Sequence, residues 1–165
     1  MDKIEELLKD PKTDLQKQAL TDKSYKKTPN NQDCKINFEL ATYGDAILKC
    51  VLCKIYFEKE DEDNFGFKGK LTEWKKQYES DEVLVIFIAR HYDILNFLNF
   101  DRDDTKKPHD YDYQGKNAKR RYKYIATAME ACIAAVYIEN GENEVIEIVK
   151  QWIEWIDKVT NSSDT

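Results

Sequence analysis

Glycine and proline are scarce, at five and three of 165 residues, too few for the turn density of a hairpin-rich fold. Long apolar runs are missing as well. No stretch approaches the roughly 18 uninterrupted apolar residues of a membrane span, and the start MDKIEELLKD lacks a signal-peptide h-region, so a cytoplasmic chain without membrane contact is expected. Histidine is limited to His91 and His109, and cysteine to Cys34, Cys50, Cys53 and Cys132. The Cys50-x-x-Cys53 spacing has no second pair to complete a zinc site and no preceding strand to make a redox motif. All four cysteines are therefore expected to be reduced, core-packing residues. Positive charge is also in deficit: the net charge is -6, which excludes holding nucleic acid by bulk electrostatics alone. Any polyanion must meet a local basic patch.

What is present is helical patterning. With 41% hydrophobic and 35% charged residues the chain suits one globular domain, and apolar residues recur at helical spacing almost throughout. The expected fold class is all-α, a multi-helix bundle over residues 1–160 with a disordered tail at 161–165. Short helices are expected at 4–9 and 14–20, divided by Pro11, followed by a polar loop at 23–33. A long helix spans about 36–58, with Leu40, Ile47, Leu48, Val51, Leu52 and Ile55 on its apolar side and Gly44 admitting a close neighbour. After an acidic surface turn at 58–64 come a helix carrying Leu71 and Trp74 and another carrying Val83 to Ile88 and ending near Tyr92. Residues 101–115 read as a polar loop. Its aspartates lack the glycine and the bidentate glutamate of a calcium loop. A second long helix at 117–138 brings Ile125, Met129, Cys132, Ile133 and Val136 to the core, with Ala131, Ala134 and Ala135 allowing close approach, and Gly141 ends it. The last helix, about 143–158, is amphipathic. The run KNAKRRYKY, residues 116–124, is the best candidate for a basic patch, Lys116, Lys119, Arg120, Arg121 and Lys123 interleaved with Tyr122 and Tyr124; its plain alternative is a solvated helix entry.

Two helical segments stand out together, NFELATYGDAIL from Asn37 and ATAMEACIAAVYIENG from Ala126. They resemble the two signatures of the ribonuclease III family, NERLEFLGDxxL and ADxxEAxxGAxYLDxG. Asn37, Leu40, Gly44, Asp45 and Leu48 fall in register with the first; Ala126, Glu130, Ala131, Ala135, Tyr137 and Gly141 fall in register with the second. QALTDKSYK and GKLTEWKKQYES are similar to further family segments, in the right order. The resemblance implies the ribonuclease III endonuclease-domain fold, normally a homodimer that cleaves double-stranded RNA with magnesium. It reaches no appended double-stranded-RNA-binding domain, so RNA affinity is expected from the fold's own surface or from a partner.

The chemistry explains the motif, because phosphodiester hydrolysis by hard divalent cations calls for a cluster of carboxylate ligands. Carried over residue by residue, the family's first acidic pair falls on Ala41 and Asp45 and its second on Thr127 and Glu130. A further acid at the helix start falls on Phe38. Glu39 cannot stand in for Ala41, since two residues turn a helix by about 200°. The implied catalytic and metal-binding residues are thus Asp45 and Glu130 alone, with Mg²⁺ or Mn²⁺ held weakly or not at all, and the basic run as the RNA-binding element. Thr42 replaces the aromatic plug of the family's dimer contact. Two readings stand: a pseudoenzyme that binds structured RNA and pairs as a homodimer or with a paralogue, or an active Mg²⁺-dependent endonuclease using the residual pair. A helical protein-interaction domain unrelated to RNA is the third.

Overall fold

The computed structural model describes residues 1–59 and 69–162, and among them the chain is helical with no strand; Thr21 and Asn99 form an isolated bridge. The first two helices are set by their caps. Asp2 accepts from the Glu5 N–H at 2.8 Å to start α1 (Lys3–Lys9), and Thr13 with Gln16 makes a reciprocal capping box at the head of α2 (Asp14–Ala19). The stretch expected as a plain loop at 23–33 contains two 3₁₀ turns, Lys23–Lys27 and Pro29–Asn31. Asp22 caps the first and Pro29 opens the second, local effects that carry no apolar period and so leave no pattern to read.

The long helices are α3 (Phe38–Lys59), α7 (Ala118–Asn140) and α8 (Glu142–Ser162). Between them lie α4 (Lys70–Glu79) and a continuous run made of α5 (Asp81–Val83), a π-helical stretch Leu84–Ala89 and α6 (Arg90–Tyr92). The wider π turn lets Leu84, Val85, Ile88 and Ala89 all reach the interior. Of the acidic turn expected at 58–64, Glu58 and Lys59 are the end of α3, and the remainder lies outside the described residues. α8 runs past its expected end near 158 to Ser162.

α7 is the central helix, and Ile125 through Ala135 are buried except for Thr127. A helix buried nearly all round needs neighbours on every side, and α1, α2, α3, α5, the π stretch and α8 supply them. Its closest neighbour is α3. A Cβ built on Gly44 would stand 1.7 Å from the Glu130 carbonyl oxygen and 3.3 Å from the Ala134 amide, so only glycine lets the two backbones meet. α8 lays Val145, Ile148, Val149, Trp152, Ile153 and Ile156 on the bundle. Trp152 Nε1 donates to the Tyr92 hydroxyl at 3.0 Å, which donates to Asp2 Oδ2 at 2.5 Å, tying the last helix to the first.

The 101–115 segment is pinned rather than loose. Lys107 pairs with buried Asp22 at 3.0 Å and lies over the Tyr124 ring, while the Tyr124 hydroxyl donates to the Pro108 carbonyl at 2.5 Å. Its aspartates Asp101, Asp104 and Asp110 accept from backbone amides two residues on. Core packing is observed for Cys132 alone: Cys34 and Cys53 are only partly covered and Cys50 is exposed. No disulfide joins the cysteines, all four of which are free.

Candidate functional site

The close crossing at Gly44 places the next residue of α3, Asp45, against the turn of α7 that carries Glu130. Phe38, Ala41 and Asp45 from α3 and Thr127 and Glu130 from α7 line one cavity of about 580 Å³. Glu39 does not line it, as its rotation about the helix requires. Two acids that the sequence did not flag line it too: Glu79 at the end of α4 and Asp81 at the start of α5. Asp81 follows Ser80, whose hydroxyl caps the Val83 amide at 3.2 Å, so in sequence it reads as an ordinary first-turn acid.

The carboxylates are already engaged by lysines. Lys49 Nζ lies 2.6 Å from Asp45 Oδ2, one turn along α3. Lys123 Nζ bridges Asp81 Oδ1 at 2.9 Å and Glu130 Oε1 at 3.3 Å. Burial drives the Glu130 carboxyl up to about 7; Lys123 opposes the shift, and the nearby charges of Asp45 and Asp81 add to it. Burial works against the charge on Lys123, but the hydrogen bond to Asp81 and the charge of Glu130 win, and its pKa is raised. Lys49 is raised likewise by its hydrogen bond to Asp45. Glu130 is 6% exposed, a charge-bearing residue in the interior rather than on a helix surface.

Residues 12–155 match the family model described as Ribonuclease-III-like. The chain belongs to the ribonuclease III-like family. It is 29% identical over 140 residues to Ribonuclease 3 of Azotobacter vinelandii, covering 85% of this chain and 52% of that protein. It is 26% identical over 125 residues to Ribonuclease 3 of Actinobacillus pleuropneumoniae, covering 76% and 50%. The chain thus spans about half the length of the curated relatives it matches. Among solved structures, two nuclease domains of ribonuclease III from Campylobacter jejuni share the fold at a TM-score of 0.67, with 23% and 24% identity; one covers 92% of this chain and 94% of its own. That structure concerns flexibility in the region involved in dimer formation.

The ribonuclease III-like family generally depends on metal, and the donor set of this member does not suit a divalent ion. Among the described residues no three His, Cys, Asp or Glu side chains converge closely enough to hold one. Four carboxylates line the cavity, but so do four lysines, Lys49, Lys76, Lys119 and Lys123, leaving no excess negative charge to offset the cost of stripping water from a cation. Ala41 and Thr127, onto which the resemblance carries the family's other two acids, line the same cavity and supply no carboxylate to it.

Beyond Thr127 the wall changes character. A second cavity of about 670 Å³ adjoins the first along α7 and is lined by Lys23, Lys107, Lys119, Arg120 and Lys123; a third, lined by Lys27, Lys106 and Arg121, continues from it. Four of the five basic residues expected from the sequence lie along this path; Lys116 is exposed and lines none of the three cavities. Lys23, Lys27, Lys106 and Lys107 were not legible as part of it. They stand in segments separate from the 116–124 run and reach α7 because the 23–27 turn and the 101–115 segment pack beside its first turns. No described helix is long and apolar enough to cross a membrane.

Proposed function

We propose that this ribonuclease III-like domain binds structured RNA without cutting it, as a catalytically silent partner in RNA processing in the cytoplasm. The observation that carries the reading is the pair of lysines, Lys49 and Lys123, seated on the carboxylates that would otherwise take up metal. Ammonium groups fixed there offset the charge of the acids and occupy Asp45 Oδ2, Asp81 Oδ1 and Glu130 Oε1, so an incoming ion must displace them. The basic path along α7 then supplies the contacts to phosphate that an acidic chain lacks elsewhere. Dimer formation, with a second copy or a paralogue, is part of the same reading, supported by the likeness to a nuclease domain with a region for it.

Purified protein incubated with labelled duplex RNA carrying unpaired nucleotides, with and without Mn²⁺, tests it. A mobility shift that survives chelation, with no cleavage, is expected; cleavage would overturn it. Light scattering reads the dimer. Ala41→Glu and Thr127→Asp combined with Lys123→Ser should restore metal-dependent cutting, whereas the two acids alone, with Lys123 retained, should restore less.

The active-endonuclease reading has one observation in its favour. Asp81 Oδ2 is buried with no hydrogen-bond partner and Glu79 Oε2 has only the Lys75 ammonium 3.5 Å away, so two of the residues that line the cavity keep a carboxylate oxygen without a hydrogen bond. Cleavage in Mg²⁺ or Mn²⁺ that Glu130→Gln abolishes would establish it.

A further inference from the structure

Phe38 occupies a position that in the family carries an acid, and a ring there serves neither the core nor an ion. It is 65% exposed and lines both the carboxylate cavity and the basic cavity beside it. Its support is rigid, not a mobile loop. Phe38 opens α3, its carbonyl accepts from the Thr42 hydroxyl at 3.2 Å, and the preceding Asn37 is buried, with its side-chain amide and backbone amide bonded to the Ala19 and Thr21 carbonyls at 3.3 and 2.9 Å.

The surroundings narrow the ligand. Lys23, Lys119 and Arg120 line the same basic cavity and have no carboxylate partner among the described residues, while the cavity's one lining acid, Asp22, is held by Lys107. A flat apolar face beside unpaired cations fits a ligand that combines negative charge with a free aromatic face. A nucleotide whose base is out of the stack has both; a base inside an uninterrupted duplex hides its faces against its neighbours.

We propose that Phe38 is a stacking platform for an unpaired base, so that the groove selects RNA with bulged or single-stranded nucleotides over continuous duplex. The inference rests on the RNA-binding reading above. Stacking on the ring fixes the base while Lys119 and Arg120 take the flanking phosphates.

Fluorescence anisotropy with a labelled blunt RNA duplex, the same duplex carrying one bulged nucleotide, and a single strand provides the test. The wild-type chain should bind the bulged and single-stranded RNAs more tightly than the blunt duplex. Phe38→Ala should weaken those two by about 5- to 150-fold and leave blunt-duplex binding unchanged, and Phe38→Trp should keep the preference. Equal binding of all three RNAs by the wild type, or a Phe38→Ala variant that binds as the wild type does, overturns the stacking platform and leaves RNA binding intact. Failure of the wild type to bind any of the three at low salt removes the RNA-binding reading and the platform with it. Light scattering on Phe38→Ala adds a separate outcome: loss of a dimer with unaltered RNA affinity assigns the ring to self-association and overturns the proposal.

Discussion

A glutamate buried beside Asp45 and Asp81, with one lysine to answer for it, titrates unlike a surface glutamate. The Glu130 carboxyl is raised from 4.5 to about 7, so between those values the folded chain keeps a proton that the unfolded chain has released. Stability therefore falls as pH rises through that window, by at most about 3 kcal/mol. Glu130→Gln removes the titration. Its melting temperature should gain on the wild type between about pH 5 and about pH 8, and parallel pH profiles would refute the burial of this charge. Gly44 makes the second prediction at this scale. With the Glu130 carbonyl 1.7 Å from any Cβ, Gly44→Ala must push α3 off α7 and should cost about 3 kcal/mol or more in urea unfolding; a cost under about 1 kcal/mol would mean the helices do not meet there. Glycine at this position was legible as an invitation to a neighbour. Which neighbour, and that it would be the backbone of Glu130, was not.

At the scale of elements, apolar period located α1, α2, α3, α7 and α8 within a few residues, because each carries a stripe that must be buried, with Pro11 dividing the first two and Gly141 closing α7. The 3₁₀ turns, the π stretch and the pinned 101–115 segment escaped, since each is fixed by bonds to distant residues or by tight local capping rather than by periodicity. Thr13→Ala should cost about 1 kcal/mol through loss of the capping box, read from the denaturation midpoint. Lys107→Met should cost more, about 3 kcal/mol, because it strands Asp22, whose side chain is 7% exposed, without its cation. Faster hydrogen exchange across 101–115 would accompany that loss, and unchanged exchange would show the segment is held by something else.

At the scale of the molecule, an acidic chain lines two adjoining cavities beside the start of α7 mostly with cations. Lys119→Ala with Arg120→Ala should flatten the dependence of RNA affinity on salt by about 0.7–0.9 in log–log slope for each phosphate that is no longer neutralised. Lys116→Ala, outside the three cavities, should leave the slope unchanged. The linear order of residues determined the all-α class and the family, because these are properties of spacing and residue type along single helices. Only the tertiary structure decided that Lys123 bridges Asp81 and Glu130, that Asp81 and Glu79 join the cavity, and that Lys23 and Lys107 extend the basic path. Those are meetings between separate segments, and one-dimensional pattern holds no record of which side chains a bundle will press together.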